Sequence, residues 1–404
     1  MDKMNTLKPL EKQLLELPKE VKFCTKCVMS NQRPRITFNE EGVCSACSYR
    51  ETKKNIDWDE RARMLEELLD KYRRNDGRWD VLVPSSGGKD SAFVGHHLKH
   101  QYGMHPLTVT WAPFEYTGIG YRNLKKMIDS GFNNILIHPD GKFHRKLSRI
   151  CFEEIGDNFA PFSYGMHAAP VRIALKFDIK LLFVGEMAEA EYGGDKSVSE
   201  SSRYPFKKCK SLFYKGTAMD QMIEYGLKHK DYFSEEDYDP SDLHFYRMPS
   251  FEEISDWGIE MHYYAFFHKW TPQENYYYAT EHTGFKANPE RSEGTYSKYA
   301  SLDDMLDGLH YYLSYIKFGI GRTTSDAAHE VRDGHISRDE GVALVKRFDG
   351  EFPSKYFKET IEYLGIDEEH FWKVIDSFRL PHIWKKVGGE WKLRHSVAKD
   401  GVDD

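Results

Sequence analysis

A short apolar strand that runs into a glycine-rich turn constrains this chain more than any other stretch. Residues 81–84 read Val-Leu-Val-Pro, residues 85–91 read Ser-Ser-Gly-Gly-Lys-Asp-Ser, and a helical pattern starts near Asp90. Two adjacent glycines let the backbone turn tightly and bring its N–H groups close to a ligand. Because a helix N-terminus adds free donors and the positive end of the helix dipole, the turn predicts a site for an anion such as phosphate.

The loop is not a Walker A motif, since Gly88-Lys89 is followed by Asp90 rather than by Ser or Thr, and the upstream glycine is missing. It resembles instead the pyrophosphate-binding loop, Ser-Gly-Gly-x-Asp-Ser, of the ATP-pyrophosphatase superfamily, whose members cleave ATP to AMP and pyrophosphate. The alternative is a glycine-rich turn without a ligand. The six-residue match in a strand–turn–helix context argues against that alternative.

Strand and helix patterns alternate around the loop. Strands are predicted at residues 80–84, 107–111, 134–138 and 181–184, and helical patterns at residues 58–72, 90–101, 121–130, 142–155 and 168–177. This alternation predicts an α/β fold with a doubly wound parallel sheet of the ATP-pyrophosphatase type. Ligands of such sheets bind beyond the carboxyl ends of the strands. That edge would carry the loop, Thr110-Trp111, His138 and Gly185-Glu186.

Four of the six cysteines form two Cys-x-x-Cys pairs, which are separated by sixteen residues: Cys24, Cys27, Cys44 and Cys47. Each pair can aim two thiolates at one point, and four sulfurs satisfy tetrahedral zinc. We therefore predict a structural zinc knuckle with a short β-hairpin at residues 35–42. Redox activity is the alternative, although one pair would suffice for it. With four protein ligands the ion would have no open position, so it would stabilise a subdomain.

Charge and hydropathy narrow the functional classes. The chain has 404 residues and a net charge of −7, so no overall basic field attracts nucleic acid. No apolar run approaches the ~20 residues of a membrane helix, and the first twenty residues lack the apolar segment of a signal peptide. Cysteines that are arranged as metal ligands rather than as a disulfide framework fit a reducing compartment. We therefore expect a cytoplasmic protein without a membrane partner and without nucleic acid.

Three regions are expected along the chain. Residues 1–57 would form the N-terminal segment with the zinc knuckle, residues 58–240 the α/β domain, and residues 241–404 an aromatic-rich, mainly helical region that completes the active site. Aromatic residues crowd the stretch from 200 to 275, where interdomain core is favoured over base stacking and a further strand is predicted at 245–249 or 261–265. The polar tail, residues 385–404, is expected to end in disorder.

Acidic residues follow the fourth predicted strand. Glu186 lies at the strand's tip, and Glu191 belongs to a turn-rich acidic segment. Carboxylates repel a triphosphate unless Mg²⁺ lies between them, which makes Glu186 and Glu191 candidates for metal or substrate contact. A solvated acidic loop is the alternative for both residues.

Two cations flank a helix break in the C-terminal region. Glycines at 319 and 321 interrupt the helical pattern of residues 303–319, and Lys317 and Arg322 lie on either side. Two cations on an ordered turn could meet phosphates or a negative transition state. The alternative is that they are ordinary cations at a helix end, where they favour the local dipole.

With these motifs placed, the chain resembles the N-acetyl sugar amidotransferases of bacterial surface-polysaccharide and nonulosonic-acid biosynthesis. The resembling parts are the knuckle that begins at Cys24, residues 86–91, residues 185–186 with 191–194, and residues 317–326. The resemblance implies that an acetamido group on a nucleotide-activated sugar becomes an acetamidino group, as in the biosynthesis of lipopolysaccharide O-antigen. ATP would adenylate the amide oxygen and release pyrophosphate, and ammonia would then displace AMP.

The motifs and the resemblance together assign a role to each candidate residue. Pyrophosphate would be held by the backbone of Ser86, Gly87, Gly88 and Lys89 with the Ser91 hydroxyl. Asp90 would hold Mg²⁺ together with Glu186, or cap the helix. Thr110, Trp111 and Gly185 would line the ATP site, and Asp90, Lys317 and Arg322 would act in catalysis. No glutaminase domain is evident, so the resemblance implies a partner glutaminase with a barrel-type subunit, both similar to those of imidazole-glycerol-phosphate synthase.

Two other functions fit part of the pattern. A tRNA-modifying enzyme of the same superfamily also adenylates its target and often carries zinc knuckles. The acidic balance and the lack of a basic, aromatic-interleaved tract argue against it. A sulfur-transferring version would need reactive cysteines, and only Cys151 and Cys209 remain. A non-catalytic zinc-knuckle interaction protein is the other alternative, and the intact Ser86–Ser91 loop argues against it.

Overall fold

The computed structural model describes residues 8–229 and 231–404, without the side chain of Lys196. In chain order, the α-helices α1 to α16 are Ser45–Thr52, Trp58–Tyr72, Lys89–His100, Gly118–Asp129, Gly141–Ile155, Ala160–Phe177, Ala188–Tyr192, Cys209–Leu212, Met219–Lys228, Phe251–Asp256, Pro272–Thr283, Asp307–Phe318, Arg322–Asp333, Arg338–Phe348, Phe357–Leu364 and Glu368–Ser377. The strands β1 to β7 are Val81–Pro84, Pro106–Trp111, Asn133–Ile137, Leu181–Val184, Glu260–Tyr263, Trp384–Val387 and Glu390–Leu393. Short 3₁₀ turns cover Leu14–Glu16, Lys53–Asn55, Lys196–Glu200, Phe206–Lys208, Glu235–Asp237, Pro240–Leu243 and Tyr264–Phe266.

Five parallel strands form the central sheet in the order β3-β2-β1-β4-β5. The strands are short and apolar, and β1, β2 and β4 are almost wholly buried, as expected where helices cover both faces of a parallel sheet. α6 packs on β1 and β2, and α3 packs on the same strands and on β4. The predicted doubly wound α/β fold is confirmed. The strand order reverses between β1 and β4, which makes the crevice beyond these two strands the switch point of the sheet.

The predicted helices and strands agree closely with the structure. α2 and β4 have the predicted bounds. For α2 the signals are clear, because its apolar residues recur with helical spacing and the Asp57 carboxylate caps its N-terminus. α6 is longer than predicted and begins at Ala160. Of the two positions predicted for a further strand, 245–249 and 261–265, the second is close to β5, which joins the sheet next to β4.

The aromatic residues of the middle region form the core, as predicted. Tyr246, Tyr264 and Trp270 are at most 2% exposed and belong to the main hydrophobic cluster around the sheet. The C-terminal helices α12, α15 and α16 build a second cluster with Phe371 and Phe378. A third cluster joins the four cysteines to α13 and to Val397. None of the helices in the described part of the chain is both long enough and apolar enough to cross a membrane.

Two local predictions were wrong. The tail is ordered rather than disordered: β6 and β7 form an antiparallel hairpin, and Trp384 anchors it by donating from Nε1 to the Ile316 carbonyl at 2.7 Å. Lys385 and Arg394 both pair with Asp403, which fixes the last residues against the hairpin. In the knuckle, the expected hairpin is reduced to a single bridge between Phe38 and Cys44, because the chain turns into α1 directly afterwards.

Candidate active site

The glycine-rich loop joins β1 to α3 at the switch point of the sheet. Gly87 has φ +81°, a conformation that glycine adopts without strain. A Cβ atom on Gly87 would lie 2.4 Å from the Leu124 Cα of α4, so the loop and this helix touch through their backbones. Gly88 begins α3 without a side-chain cap. The first N–H groups of α3 are therefore left for a ligand, as at other anion sites on helix N-termini.

Hydroxyl groups beneath the loop hold its shape. Ser85 Oγ donates to Ser91 Oγ at 2.9 Å and accepts from the Gly87 N–H at 3.2 Å. Ser91 Oγ donates to the Gly88 carbonyl at 3.2 Å, and Thr110 Oγ1 donates to the Ser85 carbonyl at 2.6 Å. These bonds satisfy the loop's inner polar groups and preorganise it for a ligand.

Two carboxylates follow neighbouring strands of the sheet: Asp90 follows β1 and its loop, and Glu186 follows β4. Burial raises the pKa of Glu186, and the charge of Asp90 raises it further. Asp90 accepts hydrogen bonds from the Lys89 side chain and, at 2.9 Å, from Asn275 Nδ2. Two carboxylates that repel each other this way can share a divalent cation, whose preferred ligands are oxygens. The chemistry of Asp90 and Glu186 therefore fits Mg²⁺.

A cavity of about 180 Å³ lies against the loop. Its walls come from three parts of the chain: residues 86–90, Gly120 and Asn123 of α4, and the C-terminal residues Phe285, 299–303 and Arg322. The Arg322 guanidinium bonds Asp326 Oδ1 through Nε at 3.0 Å and lies 4.3 Å from the centre of the Tyr311 ring. The cavity thus combines helix N-terminal donors with a cation held in place, a set that suits a polyphosphate.

The structure separates the two cations that the sequence grouped together. Lys317 is 2% exposed, and its Nζ donates to Glu11 Oε2 at 2.5 Å and to the Ile155 carbonyl at 2.7 Å. Gly319 ends α12 with φ +65°, so Lys317 and Arg322 lie on different helices. Lys317 borders another cavity, described below, rather than the cavity at the loop.

The predicted ATP-site residues at the other strand ends play supporting parts. Thr110 is 1% exposed and is bound to the loop carbonyl of Ser85, as described above. The Trp111 ring is 4% exposed and lies in the core, with an edge contact to Tyr246 at 5.2 Å between ring centres. A Cβ on Gly185 would lie 2.7 Å from the Trp270 ring, so this glycine makes room for a buried indole. The side chains of Thr110 and Trp111 therefore support the edge of the sheet.

Sequence reasoning missed the C-terminal side of the cavity. Ser86 bonds the Asp303 carboxylate, and burial raises the pKa of Asp303 to about 6, with a further contribution from Asp307. Tyr299 lies 5.8 Å from Lys89 Nζ, measured to the ring centre. These residues belong to an irregular stretch without a motif. The three closely spaced acidic residues at 303, 304 and 307 were the one signal in the sequence that could have indicated this side of the cavity.

The four cysteines form a buried cluster whose geometry fits one tetrahedral metal ion. All four sulfurs lie within 4.8 Å of one another, with Cys24 and Cys47 3.9 Å apart and Cys27 and Cys44 3.7 Å apart. A metal–sulfur bond of about 2.3 Å requires tetrahedral edges of about 3.8 Å. Cys24 Sγ also accepts from the N–H of Cys44 at 3.3 Å, a contact that stabilises a thiolate. The predicted metal knuckle is supported at this level.

Glu191 is neither solvated nor part of the cavity at the loop. It is 4% exposed, forms an ion pair with Lys53, and lies 3.5 Å from His329 Nε2. Burial favours the protonated acid, but His329 and Lys53 outweigh burial and lower the pKa of Glu191 to about 2. The alternative of a solvated acidic loop was therefore wrong for Glu191. This carboxylate ties the knuckle segment to α7 and α13.

Comparison with protein-family models gives a match to the C-terminal part of the chain. Residues 293–397 match the family model described as LPS biosynthesis protein WbpG-like, C-terminal domain. The matched region holds Lys317, Arg322 and the helices α12 to α16. No curated protein matches the sequence.

Among solved structures, the chain is similar to the U34-tRNA thiolase NcsA from Methanococcus maripaludis with its 4Fe-4S cluster. The identity is 14%, the similarity covers 86% of this chain and 97% of that chain, and the TM-score is 0.27. A similarity with so low a TM-score carries no argument about function. The match of residues 293–397 to a WbpG-like C-terminal domain, by contrast, agrees with the resemblance that the motifs predicted, and the sheet around the loop has the predicted parallel α/β architecture.

Proposed function

We propose that this protein is an ATP-dependent amidotransferase that converts the acetamido group of a nucleotide-activated sugar into an acetamidino group during LPS or surface-glycan biosynthesis. One observation carries the proposal. The uncapped N-terminus of α3 lies at the switch point beside Asp90 and Glu186, in a chain with the C-terminal domain of an LPS biosynthesis family. The site supports ATP cleavage at the α-phosphate, and the family supports a sugar as acceptor.

The first step would form an adenylated amide. The amide oxygen attacks the α-phosphorus of ATP, and the bond to pyrophosphate breaks. Negative charge grows on pyrophosphate, where the first N–H groups of α3 can stabilise it, while the Ser91 hydroxyl holds the loop in shape through the Gly88 carbonyl. Asp90 and Glu186 would hold Mg²⁺, which when bound supplies positive charge that offsets part of the negative charge on the phosphates. Arg322, fixed by Asp326 and Tyr311, faces the same cavity and would offset the charge of the transition state.

The second step would form the amidine. The lone pair of ammonia forms the new C–N bond, the C–O bond to AMP breaks with its electron pair on the phosphate oxygen, and one proton is released to solvent or a nearby base. Neither cysteine outside the knuckle suits glutamine cleavage or sulfur transfer, because burial raises the pKa of Cys151 and raises that of Cys209 to about 11. We therefore propose that a partner glutaminase with a barrel-type subunit supplies ammonia.

The knuckle would hold zinc in a structural role. Its four thiols occupy every position of a tetrahedral ion, so the ion supports the knuckle and takes no part in the reaction. The third hydrophobic cluster joins the knuckle to α13, the helix that begins with Arg322. Loss of zinc would therefore reach the active site through α13.

One assay tests the reaction. The purified protein is incubated with ATP, Mg²⁺, ammonium and a panel of UDP- and CMP-linked acetamido sugars, and the products are analysed by mass spectrometry and for pyrophosphate. We expect one sugar of the panel to exchange oxygen for NH, with AMP and pyrophosphate formed in equal amounts. Sugars of unchanged mass across the panel, with or without pyrophosphate release, would refute amidine formation.

A further inference from the structure

A second cavity, of about 250 Å³, lies where the knuckle segment, the α/β domain and α12 meet. We call it the interdomain cavity; charged residues that line it include Arg33, Arg35, Asp157, Lys215 and Lys317. A neighbouring hollow of about 400 Å³ shares Gln13 and residues 33–35 with the interdomain cavity. The two spaces therefore meet at the segment that carries the two arginines.

Cations outnumber their partners in the interdomain cavity. Arg35 binds Glu189 through two hydrogen bonds, of 2.9 Å and 2.6 Å, and Lys317 is paired with Glu11 as described above. Lys215 forms an ion pair with Asp157. The remaining cation, Arg33, lies at the junction of the two spaces.

Arg33 has no ion-pair partner among the residues that the structure describes, and its Nε atom is buried without a hydrogen bond there. Its guanidinium lies 5.4 Å from the centre of the Tyr192 ring. Arg33 is partly buried, burial lowers its pKa, and the carboxylate of Glu189, whose charge favours the protonated guanidinium, is already bound by Arg35. An anionic ligand would offset the cost of holding this cation in place. Lys215 reports on its surroundings: burial and the charge of Lys317 lower the pKa of Lys215 to about 7, so the cavity disfavours a further positive charge.

Lys215 also has an unusual backbone conformation. Its φ is +53°, in the left-handed region that residues other than glycine rarely adopt. Such conformations cluster at ligand sites, where the surrounding structure holds them in place.

The interdomain cavity adjoins the cavity at the glycine-rich loop. Tyr311 lines the interdomain cavity, and the guanidinium of Arg322 lies over its ring. Arg322 in turn lines the cavity at the loop, and Ser325, one turn further along α13, lines the interdomain cavity. Starting from the glycine-rich loop, the order of features is therefore the cavity at the loop, the contact between Arg322 and Tyr311, the interdomain cavity, Arg33, and the neighbouring hollow.

We propose that the interdomain cavity and the neighbouring hollow bind the second substrate, a nucleotide-linked sugar. Its sugar lies in the interdomain cavity beside Tyr311, its phosphate pairs with Arg33, and its nucleoside occupies the neighbouring hollow. This assignment rests on the proposed function and adds to it the residues that hold the sugar nucleotide. The order of features places the sugar next to the cavity where ATP would be cleaved.

The test measures binding without catalysis. UDP-N-acetylglucosamine, UDP, CMP and inorganic phosphate are titrated into the full-length protein by calorimetry, and an ATP analogue is titrated separately. We expect a nucleotide probe to bind the wild type, and Arg33→Gln to weaken that binding about tenfold or more, since the lost bond joins two charged groups. The affinity for the ATP analogue should not change. Binding of phosphate alone, or of no probe, overturns the proposal.

Two further variants keep the test decisive. Arg247→Gln is the matched control: Arg247 is an exposed arginine that pairs with Asp220 on the surface, and its loss should leave nucleotide binding unchanged. Thr37→Trp places a bulky ring in the neighbouring hollow at an exposed position, and it should block nucleotide binding even if Arg33→Gln unfolds the protein. Equal binding by Thr37→Trp and the wild type would overturn the proposal.

The outcomes separate this proposal from the proposed reaction. Nucleotide binding that depends on Arg33, together with the absence of amidine for every sugar, would leave the site in place and refute the reaction. Amidine formation with an unchanged KM for the sugar nucleotide in Arg33→Gln would support the reaction and refute the site.

Discussion

The strongest prediction concerns Gly87, where a single methyl group should disable the loop. An alanine at φ +81° costs about 1–2 kcal/mol, because L-residues clash with their own backbone there. Its Cβ would also lie 2.4 Å from Leu124 Cα and 2.6 Å from Leu124 N, although carbon atoms in contact stay about 3.5–4.0 Å apart. Because these atoms are helix backbone, relief requires the loop to move, at about 1–3 kcal/mol for overpacking.

The two contributions together amount to about 2–5 kcal/mol. We expect the loop to distort rather than the protein to unfold, so that this cost falls on ATP binding. Gly87→Ala should then weaken ATP binding about 30-fold to several thousand-fold, by the relation of about 1.4 kcal/mol per factor of ten. The assay is calorimetric titration with an ATP analogue and Mg²⁺, together with pyrophosphate release.

Gly77 provides a matched control. It has φ +77°, similar to that of Gly87, but it is exposed, and nothing lies within 4 Å of a Cβ built on it. Gly77→Ala should therefore show the backbone cost of about 1–2 kcal/mol in its unfolding free energy and retain ATP binding. If Gly87→Ala and Gly77→Ala bound ATP equally well, the assignment of the loop as the ATP site would be refuted.

Four further predictions concern the buried charges and the thiols. Cys44→Ser should abolish stoichiometric zinc, measured by elemental analysis, and lower the Tm; zinc content equal to that of the wild type would contradict the knuckle. Lys53→Met leaves Glu191 buried without its lysine and should cost about 3–5 kcal/mol in urea unfolding. The folded pKa of Glu191 is about 2, and its unfolded pKa is about 4.3. The contribution of Glu191 to the free energy of unfolding is therefore fully present above the unfolded pKa and is lost as the pH falls toward 2. Acid titration of the free energy of unfolding should show less of this loss in Glu191→Gln. Asp303 has the opposite sign: its raised pKa of about 6 means that its contribution is lost as the pH rises through 6, so Asp303→Asn should flatten that decline.

Much of the fold could be predicted because its signals are local. The apolar β-strands are bounded by turns, and helices such as α2 have both an apolar stripe and a capping residue. The ordered tail could not be predicted, since the β6–β7 hairpin is polar and depends on Trp384 reaching Ile316 in α12. Such a contact between distant segments leaves no periodic pattern in the sequence.

The candidate site was predictable where it is built from one segment and not where segments converge. The loop at residues 86–91 carries a motif, so its position between β1 and α3 could be predicted. Asp303, Tyr299 and Arg33 come from irregular stretches, and their positions depend on how the C-terminal region and the knuckle pack on the sheet. Their chemistry becomes visible once packing has brought them together.

The separation of Lys317 from Arg322 changes how the two cations would act. Sequence spacing alone suggested that the two cations could meet phosphates or a negative transition state together, but Gly319 ends α12 and directs the chain into α13. Arg322 then lines the cavity at the loop, whereas Lys317 lies at the interdomain cavity. A reaction that joins ATP to a second substrate needs two such spaces with a shared wall. In the proposed reaction, Tyr311 of α12 and Arg322 of α13 would form that wall, and this would require the C-terminal region beside the sheet that carries the loop.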